Sequence, residues 1–213
     1  HQRGLIHRDI KPSNIFTCRL GLQTDFVKVL DFGLVKGRGE LERRDAMLTA
    51  PDATAGTPAY IAPEMVRGDS PIDHRVDIYA LGCVAYWLLT GQLVFEAPNA
   101  IQLMIAHSNT PPVPPSQRIE LEIPPAFDAL VLACLAKRPD ERPATAAELG
   151  RRLATVLTGE PWGEEKARHW WHRHHPESAK GAPIRCDVLL SRTINEGWTT
   201  ESDPADSTLA GTP

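Results

Sequence analysis

From Val76 to Thr90 the chain places Ile78, Leu81, Val84, Ala85, Trp87, Leu88 and Leu89 on nearly every side of a helical projection, and Gly91 follows as a stop signal. A helix without a polar face belongs at the centre of a core, so the other elements must be arranged around it. The segments downstream supply suitable faces. Phe127, Leu130, Val131, Cys134 and Leu135 fall at i, i+3, i+4, i+7 and i+8, the pattern of an amphipathic helix. Thr145 and Glu148 form a capping box for a further helix, whose Leu149, Leu153 and Leu157 share one side before Gly159. Ala100 to His107 reads as one more helix, ended before the proline-rich stretch Pro111 to Pro115.

Sheet is scarce. Val27 to Leu30 is a short apolar run that ends at Asp31, as expected of a strand delivering an acid to a loop. Ile15 and Phe16 begin its hairpin partner, with Cys18 to Asp25 as the connecting loop. From Gly33 to Thr57 the sequence turns polar and reads as a long surface loop, a kind of segment that tends to carry function in compact domains. The predicted class is therefore mainly α, a helical core with one short β-hairpin. After Gly159 the character changes. Glu164 to His175 reads as a helix with Ala167, Trp170, Trp171 and His174 on one side, and Pro176 to Pro213 has the composition of a disordered tail.

A length of 213 residues suits one well-buried domain with a tail. Formal net charge of -4 leaves no basic footprint, which disfavours nucleic acid or an anionic membrane as partner. No apolar run approaches the ~20 residues of a membrane span, and no signal-peptide pattern is present. Cys18, Cys83, Cys134 and Cys186 form no C-x-x-C pair, so they read as reduced thiols of a cytoplasmic protein.

Two strings carry chemistry. Residues 7 to 14 read His-Arg-Asp-Ile-Lys-Pro-Ser-Asn, and seventeen residues after Asn14 comes Asp31-Phe32-Gly33. Asn14 and Asp31 offer oxygen ligands to a hard cation. Asp9 is an acid that can take a proton, and Lys11 is a compact positive charge two positions on. Any one of these residues could simply cap a turn, but that does not account for five fixed types in register with Asp31. Further along stand Gly56-Thr57-Pro58-Ala59-Tyr60, Ala62-Pro63-Glu64 and Glu141-Arg142-Pro143.

On these motifs the chain resembles the C-terminal lobe of a eukaryotic-like (Hanks-type) bacterial serine/threonine protein kinase, from about His1 to about Leu157, with 158–213 as an extension outside the match. The resemblance implies transfer of the γ-phosphate of Mg-ATP to Ser/Thr hydroxyls of protein substrates, with Mn²⁺ as an alternative to Mg²⁺. It gives Asp9 and Lys11 the catalytic roles, Asn14 and Asp31 the metal, and Phe16 a place under the adenine ring. It makes Thr57 a substrate-positioning residue beside Asp9 and Lys11. His7, Phe32 and Gly33 complete the two strings structurally. Glu64 should pair with Arg142 as a buried ion pair, and Asp77 should hold the backbone of the catalytic loop. An arginine at Arg8 commonly meets a phosphate on the loop between Asp31 and Glu64, where the threonines besides Thr57 are Thr49 and Thr54; either is a candidate phosphosite, with dimerisation for phosphorylation in trans kept open.

The resemblance also sets expectations of absence. A complete kinase needs a glycine-rich loop, a strand lysine and a helix glutamate upstream of His7, and this chain starts after them. The N-terminal lobe is thus expected to be missing, and the fragment alone to bind nucleotide weakly and to be inactive without it. Membrane anchoring of the parent is left open. Two rival readings are a pseudokinase or scaffold, against which Asp9, Lys11, Asn14 and Asp31 argue, and a small-molecule phosphotransferase with a kinase-like core, which would lack the Gly-Thr-Pro to Ala-Pro-Glu segment. The run His169, His172, His174 and His175 has metal-like spacing but lacks a completing ligand and reads as a solvated helix end. Trp162, Trp170 and Trp171 read as docking the tail helix on the lobe.

Overall fold

The computed structural model describes residues 1, 4–20, 23–31, 58–69, 71–156 and 162–175. Two strands, β1 (Ile15–Leu20) and β2 (Gln23–Val29), are followed by α1 (Pro63–Arg67), α2 (Arg75–Thr90), α3 (Ala100–Asn109), α4 (Pro125–Cys134), α5 (Ala146–Val156) and α6 (Glu164–His174). Short 3-10 turns lie at Pro12–Asn14, Pro58–Tyr60, Pro115–Gln117 and Pro139–Glu141, each opened by a proline whose fixed φ suits a helical start.

Helix α2 is the axis of the core. Ile78, Tyr79 and Tyr86 are completely enclosed, and Val76, Cys83 and Val84 join Leu103 of α3, Val131 of α4 and Leu135 in one apolar cluster. The helix stops where Gly91 turns left-handed at φ 68° and its N–H returns to the Trp87 carbonyl at 2.8 Å. One side chain departs from the all-round burial suggested by the sequence: Leu88 is 67% exposed near the end of the helix. At α5, Thr145 Oγ1 accepts from the Glu148 amide at 3.0 Å, but the Glu148 carboxylate reaches back to the Ala144 amide at 2.9 Å rather than to the capping residue itself. The box is therefore stretched by one residue.

The hairpin corrects one expectation. Cys18 to Asp25 is not a loop: β1 and β2 pair antiparallel from Ile15↔Val29 to Leu20↔Gln23. The strands run on through Thr17, Arg19, Thr24 and Asp25 because cross-strand backbone hydrogen bonds, not apolar alternation, hold that end. The register shifts between Cys18↔Phe26 and Leu20↔Gln23, so that Thr24 and Asp25 stand against the single residue Arg19, and Asp25 adopts φ 56° there. Helix α6 packs on β2.

Candidate active site

Backbone bonds weld the segment around Asp9 to the end of β2. The Leu30 amide donates to the Asn14 carbonyl at 2.8 Å, and the Leu30 carbonyl lies 2.9 Å from His7 Nε2. His7 Nδ1 accepts from the Asp9 amide at 3.3 Å, so the ring proton sits on Nε2, which donates to Leu30. Both polar backbone groups of Leu30 are thus held by the 7–14 segment, and Asp31 follows at once with φ 56°.

The same segment is anchored from below by Asp77. This acid sits in the first turn of α2 and is buried. Its Oδ2 accepts from the His7 amide and its Oδ1 from the Arg8 amide, both at 2.8 Å, and His1 Nε2 stands 2.9 Å from Oδ2. Two backbone amides pointing at one carboxylate require a sharp bend, and Arg8 makes it at φ 62°. Non-glycine residues in that region are uncommon and cluster at functional sites.

On this platform Lys11 Nζ lies 3.0 Å from Asp9 Oδ2, and Asn14 Nδ2 donates to the Asp9 carbonyl at 2.7 Å and to Asp9 Oδ2 at 3.0 Å. Both acceptors are oxygens, which fixes the amide orientation and leaves Asn14 Oδ1 as the atom able to take a cation. Asn14 Oδ1 and the Asp31 carboxylate are hard oxygen donors on neighbouring strand ends. That sparse set suits Mg²⁺, which keeps water and substrate phosphates in its shell. Among the described residues no group of three or more His, Cys, Asp or Glu side chains could hold a metal without such help. Phe16 lies two residues beyond Asn14 on β1, half-buried.

Behind the Pro58–Tyr60 turn, Glu64 and Arg142 meet through two contacts of 2.7 Å, Nη1 to Oε1 and Nη2 to Oε2. Arg142 also donates from Nε to the Ala136 carbonyl at 2.8 Å and stacks 4.9 Å from the Tyr79 ring centre. Tyr79 in turn meets His107 Nδ1 through its hydroxyl at 2.9 Å. Lys137 donates to the His107 carbonyl at 2.7 Å and lies over the Phe95 ring at 4.5 Å. Burial, followed by the Lys137 charge, pushes His107 down to about 3, and burial pushes Lys137 down to about 8.

Residues 1–153 match the protein kinase domain family. The chain belongs to that family. It is 42% identical to serine/threonine-protein kinase PknB of Mycobacterium leprae over 161 residues, which is 76% of this chain and 24% of that protein. It is also 42% identical to serine/threonine-protein kinase pkn3 of Myxococcus xanthus over 212 residues, 99% of this chain and 36% of that protein. The chain thus spans only about a quarter to a third of the length of these curated relatives. A mainly helical body with a two-stranded sheet is the architecture in which this protein kinase domain carries its site.

Of the residues singled out in the sequence, the structure brings His7, Arg8, Asp9, Lys11, Asn14 and Asp77 into one bonded unit and joins Glu64 to Arg142 in another. Phe32, Gly33, Thr49, Thr54 and Thr57 lie outside the described residues, as do Cys186 and the tail from Pro176. Sequence reasoning passed over His1, which stands among polar residues, and His107 and Lys137, which are polar residues following apolar stretches. It also passed over Asp25, whose left-handed backbone has no signature in the sequence. His169, His172 and His174 are exposed and His175 is half-buried; the rings of His174 and His175 stand 4.9 and 5.8 Å from Trp170. Among the described residues no helix is long and apolar enough to cross a membrane.

Proposed function

We propose that the protein carrying this chain is a serine/threonine protein kinase that transfers the γ-phosphate of ATP to hydroxyls of protein substrates. The single observation that supports this best is the Asp9–Lys11–Asn14 cluster locked to the Leu30–Asp31 strand end. Residues 1–157 form the catalytic portion in this reading, and 158–213 an extension.

Asp9 orients the substrate hydroxyl and takes its proton as the oxygen forms its bond to the γ-phosphorus; the bond from that phosphorus to the β,γ-bridging oxygen breaks, and ADP leaves. Lys11, held at 3.0 Å from Asp9, lowers the cost of charge developing on the transferring group. Asn14 and Asp31 would hold Mg²⁺, which would supply charge screening for the phosphate oxygens. Asn14 Nδ2 at the same time pins the Asp9 carboxylate, so the base and the metal ligand are positioned by one amide. Phe16 supports the adenine ring, and Thr57 helps to place the substrate. Phosphorylation of Thr49 or Thr54 by a second copy would bring a phosphate to the Arg8 guanidinium and order the loop. The reaction would run in the cytoplasm, where ATP is available.

The test compares full-length protein with its Asp9→Asn variant in transfer of labelled γ-phosphate from Mg-ATP to a serine/threonine substrate protein. The expected result is turnover lost by about 10² to 10⁴-fold with nucleotide affinity retained. Equal activity of the two proteins would sink the assignment.

A further inference from the structure

We infer that Asp25, Trp162 and Trp171 are positioning residues, and that helix α6 clamps the hairpin carrying Asn14 and Asp31, so that the extension acts as part of the catalytic unit. The kinetic half of this inference rests on the function proposed above.

Four observations converge on Asp25. Its backbone is left-handed at φ 56°, in a position where β2 carries one residue more than β1. A bulge of this kind re-aims a side chain and is otherwise unfavourable for a residue with a Cβ. Both carboxylate oxygens of the re-aimed side chain are occupied: Oδ1 accepts from Trp171 Nε1 at 2.5 Å and Oδ2 from Trp162 Nε1 at 2.6 Å. Indole N–H is a donor only, and bonds from it to a carboxylate are charge-assisted. The two donors come from residues 146 and 137 positions away, on a segment beyond the 1–153 stretch that matches the kinase family. The similarity to the Myxococcus xanthus kinase, in contrast, covers 99% of this chain, so it runs through the clamp.

A two-stranded hairpin is at best marginally stable in water when nothing packs on it. Here one end is held by His7 and Asn14 through Leu30, which leaves the far end to whatever covers it. Helix α6 packs on β2 with Ala167 buried, and Asp25 fixes the register of that contact. Tilt at Asp25 travels along the strand to Leu30 and Asp31, six residues or roughly 20 Å away. Holding Asp25 therefore narrows the spread of positions available to the Asp31 carboxylate.

The experiment uses full-length protein, wild type and the double variant Trp162→Phe/Trp171→Phe, which keeps an aromatic ring at each position and removes both N–H donors. Amide hydrogen exchange is read in β1, β2 and α2, and Mg-ATP affinity is measured by calorimetric titration. We expect exchange in the hairpin to rise about tenfold with α2 unchanged, and the Kd for Mg-ATP to rise about threefold or more. Unchanged hairpin exchange overturns the clamp. Faster hairpin exchange with unchanged Mg-ATP affinity overturns the positioning role. If α2 also loosens, the single Trp171→Phe variant is judged by the same two readouts. Wild-type protein that transfers no phosphate counts against the proposed function alone, since neither readout requires turnover.

Discussion

Arg142 and Glu64, 78 residues apart, face each other through two parallel bonds of 2.7 Å, with side chains 0% and 6% exposed. The pair ties the start of α1 to the segment before α5 underneath the Pro58–Tyr60 turn. With both charges out of water, removing one leaves the other without compensation. Arg142→Met should therefore lower stability by about 3–5 kcal/mol, and Glu64→Gln by somewhat less, because the amide oxygen still accepts one bond. Urea denaturation of each variant measures this. A loss below about 1 kcal/mol for Arg142→Met would show that the pair is not carrying the link.

Asp77 should matter to catalysis as well as to stability. Each of its oxygens accepts one backbone amide, from His7 and from Arg8, and that arrangement enforces the left-handed turn at Arg8 ahead of Asp9. Asp77→Asn retains one acceptor and points an NH₂ at the other amide. The expected cost is about 1–3 kcal/mol in folding and, through displacement of Asp9, up to about 10²-fold in kcat. A kcat equal to wild type, with the folding cost present, would separate Asp77 from the chemistry.

Acid should weaken the protein through His107. Its ring is fully enclosed, meets the Tyr79 hydroxyl at Nδ1 and lies close to the Lys137 ammonium and the Phe95 ring. The folded protein keeps the ring neutral down to about 3, whereas the ordinary value of 6.5 applies once the chain unfolds. Between those limits the unfolded state binds the proton, so stability is greatest above 6.5 and falls as pH drops. The loss should be on the order of 2 kcal/mol by about pH 5, at about 1.4 kcal/mol per unit. Urea unfolding of wild type and His107→Gln across that range isolates the effect, since all carboxylates are common to both. Parallel curves would refute it.

What was legible in the sequence divides along physical lines. Helix α2 was readable because fifteen consecutive positions lack a polar face and a glycine ends them, both local signals. Asp9, Lys11 and Asn14 lie within six residues of one another, so their spacing alone brings them together. The outer half of the hairpin was not readable. Thr17, Arg19, Thr24 and Asp25 carry no alternation, since only part of either face is covered, and pairing rests on backbone bonds. His107 ends a helix beside Ser108 and Asn109, which suggests solvent, yet the packing of Tyr79 and Phe95 encloses it. Asp25 meets its indole donors across more than 130 positions, and no local pattern encodes such a contact.

Gly82 offers a test of the core itself. It sits mid-helix in α2, where glycine costs backbone entropy relative to alanine, so its presence needs a reason. The reason is contact with the end of α4. A Cβ built at Gly82 would stand 2.7 Å from Cys134 Cβ and 3.2 Å from Leu135 Cδ2. Cys134 Cβ is bound directly to the backbone, so relief requires one helix to move. Leu135 is almost completely buried and has little room to yield. Propensity alone would make Gly82→Ala stabilising by about 1 kcal/mol, whereas overpacking would cost about 1–3 kcal/mol. The steric cost should prevail, giving net destabilisation and a lower Tm. A raised Tm on calorimetry would mean that α2 and α4 are further apart than these contacts imply.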